Sequence, residues 1–316
     1  MTLITKRQLF RWRAISELVR YLRHPLRRRE LLAGLMFIAP SFLTLLFFVI
    51  LPVVSAFLLS FSEWEVLSKD RTFIGLGNYI DLLTKPELWK VIHNTLYFSM
   101  LKIPLDMALS LAIALLLNRK LRGLALYRTA YFMPVISSVV AVSAIWRWIY
   151  NPYFGLANAL LKLIGLPPQT WLSDPKLAMP AVVLVALWKG LGYDVVIYLA
   201  GLQNIPVVYD EAAQIDGANG WQRFWYVTWP LLSPVTYFVL IMSVINAFQV
   251  FAQIHVMTPE GGPLGSTEVM GFYIYRLAFR EYHFGRAAAA AFILFAIVVT
   301  LTALQRRFIE PRVHYE

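Results

Sequence analysis

Polar side chains inside long apolar runs are the first residues that ask for a chemical explanation. Lys102 and Asp106, then Lys189, Tyr193 and Asp194, then Asn246, Gln249 and Gln253 interrupt stretches otherwise rich in Leu, Ile, Val, Phe and Ala. An ionisable or amide group in hydrocarbon surroundings is costly and needs a partner or a cavity. Lys102 and Asp106 are four apart, which puts them on one helix face and predicts that they pair. Lys189 and Asp194 are five apart and face different directions; they reach other helices or line a pathway. Asn246, Gln249 and Gln253, spaced by three and four, are predicted to share one helix face. With Phe248 and Phe251 beside them they suit a neutral sugar, offering hydrogen bonds to hydroxyls and a flat surface to the ring. The same amides also suit hydrogen bonding between helices, and the sequence leaves both readings open. The candidate solute-path residues are Asn246, Gln249 and Gln253, with Lys189 and Tyr193 next.

A second group lies in the polar connection Gln203–Pro234. Asn204 is placed to cap a helix, and Pro206 suits its first turn. Val207 to Gln214 reads as a short helix carrying Asp210 and Glu211, with Asp216 just beyond it. Gly217 supplies the turn that ends it. Trp221 to Tyr226 reads as a second helical stretch running up to Pro230, where the next apolar run begins. Small residues at Ala212, Ala213, Gly217 and Ala218 admit the close approach of another protein surface. These residues describe a docking element without naming what docks.

Catalytic chemistry finds no support. Gly75-Leu-Gly77 and Gly190-Leu-Gly192 lack the third glycine and the strand context of a dinucleotide loop, and no P-loop pattern occurs. His24, His93, His255, His283 and His314 have no metal-ligand spacing, and the absence of cysteine excludes disulfides and thiolate metal sites. The expectation is a chain that is not an enzyme, binds no cofactor or metal, and does not itself hydrolyse ATP.

The elements that must position these residues are membrane helices. Of the 316 residues 59% are hydrophobic and only 15% charged, against about a quarter charged in soluble proteins. A helix needs roughly 20 apolar residues to cross the hydrocarbon core. Six runs qualify: Leu32–Leu59, Val91–Leu117, Leu126–Ile149, Leu177–Leu199, Leu231–Phe251 and Ala287–Leu304. Pro40, Pro52, Pro104 and Pro134 inside them are tolerable as kinks. The fold class is therefore all-α and polytopic, with six predicted transmembrane helices. The first run is longer than a signal-peptide core and reads as an uncleaved span.

The net charge of +11 is a matter of placement rather than of nucleic-acid binding. Nine Lys or Arg residues, Lys6 through Arg29, precede the first run, and Lys and Arg in connections mark the cytoplasmic side. If six helices alternate, one side holds 17 such residues and the other 9, so both termini are expected in the cytoplasm. Trp146 and Trp148 fit an aromatic belt at the outer end of the third run. Leu9, Trp12, Ile15, Leu18, Val19 and Leu22 describe either a helix lying on anionic headgroups or a solvated basic tail.

At the polar connection the sequence resembles a known family. Glu211-Ala212-Ala213, Gly217 and Val227-Thr228-Trp229-Pro230 are similar to the EAA signature loop of binding-protein-dependent ABC importer permeases. That pattern ends Ile-x-Leu-Pro, so Val227 and Trp229 depart from it. Phe73 to Tyr79, Leu117 to Gly123, Trp146-Arg147-Trp148 with Asn151-Pro152, Trp188 to Gly192, Ala200 to Pro206, Phe248 to Phe251 and Gly261-Gly262-Pro263 resemble the carbohydrate-uptake subfamily, of the maltose and glycerol-3-phosphate kind. The resemblance implies a permease subunit that passes a sugar or sugar-like solute. Asp210, Glu211, Ala212, Ala213, Asp216, Gly217, Ala218 and Pro230 would then form a coupling helix seated in a cleft of an ATPase subunit, and the fourth to sixth spans would line the route. It implies a second homologous permease, two ATP-binding-cassette ATPases that use ATP and Mg, an extracytoplasmic solute-binding protein, and the bacterial inner membrane. In this arrangement residues 1–30 are a cytoplasmic basic segment and 31–316 the six-span domain, with its coupling loop at about 204–230. A secondary transporter or channel for a small polar solute is the alternative; it would need ion-coupling carboxylates or broken helices at the midplane and no docking loop.

Overall fold

The computed structural model describes residues 25–64, 71–119 and 123–314. The expected surface helix of the basic N-terminal segment lies outside these residues, as do Lys69, Lys120 and Arg122. The chain forms two compact units, Met1–Leu58 and Leu59–Glu316.

In the first unit the chain is helical from Pro25, and a candidate span runs over Arg29–Ser60. The helix passes through Pro40 without a break. Just ahead of Pro52 it loosens into a π-turn, Leu46–Ile50. Proline has no N–H and its ring crowds the carbonyl four residues back, and a wider turn is one way a helix accommodates that.

In the second unit three further long helices have the length and composition of spans: Pro86–Leu117, Ala178–Asn204 and Phe284–Arg312. The third and fifth spans differ from the unbroken helices expected. The third is a pair, Leu126–Ile136 and Val139–Ile149, bent by 98°. Ser137 and Ser138 take extended conformations at the corner. Pro134 cannot donate to the turn before it, and the Ser137 hydroxyl donates to the Met133 carbonyl at 2.9 Å, which competes with helix continuation. The fifth is Gly220–Leu231 followed by Ser233–Phe248, bent by 66°. Pro230 therefore lies inside the first limb rather than opening the span. Pro234 leaves the Pro230 carbonyl without its helical N–H, and the Ser233 hydroxyl supplies the bond instead at 2.6 Å.

Glycine lets these helices approach closely, as membrane packing favours. A Cβ on Gly192 would stand 2.2 Å from the Tyr131 carbonyl oxygen of the third span, and one on Gly201 would meet Val235 and Leu232 of the fifth. The second and fourth spans form the most extensive helix pair. The core beneath them includes Phe98, Val182, Val183, Val185, Leu187, Phe248, Ile254 and Phe272. A second core joins Leu82, Leu88 and Val91 to Met270, Tyr273, Ala289 and Ala290 of the sixth-span region. A two-residue antiparallel pairing, Ser62–Glu63 with Thr72–Phe73, ties off the connection after the first span. Asn78 donates to the carbonyls of Ser60 and Ser62, both at 2.9 Å, and anchors that connection.

Candidate functional site

The polar connection folds as two helices at a sharp turn. The fourth span continues through Asn204, so Asn204 ends that helix and does not cap the next. Pro206 occupies the cap position, and the short helix runs Val207–Ile215. Gly217, at φ +80°, makes the turn, and its N–H donates to Gln214 O at 3.0 Å while Ala218 N–H donates to Ala213 O at 2.9 Å. This left-handed conformation favours glycine. Asn219 and Gln222 then cap the next helix reciprocally, each side chain accepting from the other's backbone N–H at 2.9 Å.

The two acidic residues of the short helix do different things. Asp210 accepts from Arg223 and from Gln214, both at 2.8 Å, and so braces one helix against the other. Glu211 is exposed, along with Ala212, Asp216 and Gly217. Val207, Val208, Ile215 and Trp221 stand out as exposed apolar neighbours. A carboxylate and a set of apolar side chains on a small, doubly braced projection have the character of a protein-docking surface. His314 N–H donates to Ser233 Oγ at 3.0 Å, which puts the C-terminal tail beside the bend of the fifth span. Behind the loop, a groove of about 900 Å³ is walled by Trp221, Trp225 and Trp229 with Tyr198 and Arg119. The i, i+4 spacing of the three tryptophans is visible in the sequence, but the groove they wall was not expected.

The polar residues within the spans gather at a second place. A cavity of about 410 Å³ is lined by Lys102 and Asp106 of the second span, Lys189, Tyr193 and Asp194 of the fourth, and Ser243 and Asn246 of the fifth, with Gln253 beyond them. Lys102 and Asp106 form the expected ion pair. Asp106 is 1% exposed, and its Oδ1 has no hydrogen-bond partner among the described residues. Lys189 Nζ donates to the Val135 carbonyl at 3.4 Å, beside the bend of the third span.

The expectation that Asn246, Gln249 and Gln253 share a helix face is corrected. The helix ends at Phe248, Gln249 takes the terminal position, Phe251 leaves helical geometry at φ −142° and ψ −64°, and a new helix begins at Ala252. Asn246 and Gln253 reach the cavity from separate helices, while Gln249 is exposed and does not line it. Gln253 is buried and donates to the Val182 carbonyl at 3.0 Å, so one of its two amide roles is helix-to-helix bonding. No proline or glycine marks the break. What accompanies it is the close passage of Gly271, whose Cβ would stand 2.6 Å from the Val250 carbonyl oxygen. That contact is long-range, and nothing in the local pattern announces it.

Known proteins resemble this chain in sequence and fold. The model of the family described as binding-protein-dependent transport system inner membrane component matches residues 104–315. The chain is similar to the probable ABC transporter permease protein YesP of Bacillus subtilis, 35% identical over 293 residues, 92% of this chain and 94% of that one. The sn-glycerol-3-phosphate transport system permease protein UgpA of Brucella abortus is 36% identical over 281 residues, 88% of this chain and 94% of that one. The lactose transport system permease protein LacF of Rhizobium radiobacter is 34% identical over 288 residues, 90% and 96% of the two chains. Among solved structures, a bacterial ABC transporter involved in the import of the acidic polysaccharide alginate has a chain that superposes with a TM-score of 0.77 at 25% identity, over 89% of this chain and 97% of that one.

Proposed function

This chain belongs to the binding-protein-dependent inner-membrane components of ABC transporters, in their carbohydrate-importing branch, and we propose from that premise that its 204–230 loop receives an ATPase subunit in the cytoplasm. Membership decides against the secondary-transporter alternative, although broken third and fifth spans were among that alternative's expected marks. The observation that carries the reading is the exposed Glu211 helix, fixed at one end by the Gly217 turn and braced by Asp210 against Arg223. A projection held at two points transmits force to the spans on either side instead of flexing.

In the mechanism, a solute-binding protein outside the membrane delivers solute to a pathway shared with a second, homologous permease. Two ATPase subunits bind ATP with Mg, close on each other, and drag the loop with them. The fourth and fifth spans meet at this loop, so its movement tilts both, and both line the cavity that holds Lys189, Tyr193, Asn246 and Gln253. The cavity then faces one side of the membrane or the other, and a solute shifts that balance only through differential contacts. The excess of Lys and Arg supports cytoplasmic termini, and the bond between His314 and Ser233 brings the C-terminal tail to the part of the molecule from which the loop projects.

A topology experiment tests the orientation. With Asn219→Cys in this cysteine-free chain, an impermeant thiol reagent added to intact cells should leave the protein unlabelled, and permeabilised cells should label it. Labelling in intact cells would put the loop outside and end the proposal.

A further inference from the structure

The cavity in the spans holds four charged residues, and they divide unevenly. Lys102 is committed to Asp106. That pair lies over Gly190, where an added Cβ would be 3.8 Å from both Lys102 Nζ and Asp106 Oδ2. Asp194 follows Gly190 by one helical turn, which puts it on the same face as the pair, and Ser243 of the fifth span lines the same cavity. Two carboxylates and one ammonium therefore occupy one end of the cavity. Lys189 occupies another direction. Among the described residues it has no carboxylate within ion-pair distance, and its one hydrogen bond is the 3.4 Å contact to the Val135 carbonyl. Tyr193 stands one turn further along the same face and is exposed.

We propose that Lys189, with the Tyr193 hydroxyl as a second donor, receives an anionic group of the solute, so that the sugar carried bears a carboxylate or a phosphate. The inference rests on the cavity being the solute path. An ammonium in a membrane span is costly without a counter-charge and marks a functional site when its own chain supplies none. A lysine is a compact point charge, fitted to a carboxylate or phosphate oxygen. The negative end, where Asp106 and Asp194 outnumber the one ammonium of Lys102, repels a second anion. The cavity thereby orients a singly acidic solute.

The test is uptake by cells carrying the complete transporter, compared with cells lacking this chain. The probes are sn-glycerol 3-phosphate, glucuronate, lactose and maltose, which separate phosphate, carboxylate and neutral solutes. Uptake of an acidic probe should depend on this chain. Lys189→Gln should lower its initial rate per assembled complex at least tenfold at low probe concentration, and Lys189→Arg should restore most of it. Chain-dependent uptake confined to the neutral sugars would overturn the proposal while leaving the path reading intact. So would a Lys189→Gln transporter that assembles poorly but carries the acidic probe at the wild-type rate per complex, which would make Lys189 a contact to another subunit. If no probe depends on the chain, the path reading and the proposal fall together.

Discussion

Lys102 and Asp106 illustrate how strongly a buried pair constrains each of its members. With Asp106 almost wholly buried and Lys102 its ion-pair partner, removing one side chain strands the other charge in an apolar span. Such a break costs about 3–5 kcal/mol, whereas replacing both partners by apolar groups is often neutral. Lys102→Met alone should therefore lower the melting temperature of the detergent-purified protein markedly, and Lys102→Met with Asp106→Leu should recover most of the loss. A single variant as stable as wild type would show that the pair does not hold the spans. The spacing of four made this pair legible in the sequence. The company it keeps was not legible, because the meeting with Asp194, Lys189 and Asn246 depends on how three helices are rotated, and single-helix periodicity does not carry that information. Asp210 and Glu211 make the same point in the loop: neighbours in sequence and alike in charge, one is tied to Arg223 and the other is left exposed.

At the scale of elements, the apolar runs located the spans well, and the breaks within them less well. The second, fourth and sixth spans extend beyond the expected runs by a few residues, because the helices continue into more polar flanking sequence. The bends at Ser137 and Leu232 have local causes in Pro134 and Pro234, although only Pro134 was read as a kink. The break after Phe248 has no such mark, and there the expected shared face of three amides failed. On the connection before the sixth span, Arg276 gathers three carboxylates: it donates to Glu268 at 2.7 Å and also pairs with Glu87 and Glu281. Burial pushes the Glu268 carboxyl above its ordinary range, and the Arg276 charge opposes that shift. In Arg276→Met the opposition is gone and Glu268 rises further. A carboxyl whose folded-state pKa is raised loses stability as pH rises through that value and regains it on acidification. The melting deficit of Arg276→Met should therefore shrink between pH 7 and pH 5, as followed by thermal unfolding of the purified protein. A deficit independent of pH would assign the loss to packing against Tyr273, over whose ring the guanidinium lies at 5.2 Å.

The whole molecule has two separated sites joined by shared helices: an exposed loop at one end of the fourth and fifth spans, and a polar cavity along their length. Composition and charge placement made the membrane class and the expected orientation readable, and the loop's residue pattern made the family readable. Neither reveals the solute, because that depends on which side chains turn inward. The central claim is that Glu211 and its helix are the grip of an ATPase subunit. It is tested most directly by purifying the tagged chain from cells that express the complete transporter and measuring the ATPase that comes with it. Wild type should retain an ATPase in fixed stoichiometry. Glu211→Lys reverses a charge that is exposed and has no side-chain bond among the described residues, so it should insert in the membrane normally and lose that ATPase. An equal yield of ATPase with wild type and Glu211→Lys would contradict the account.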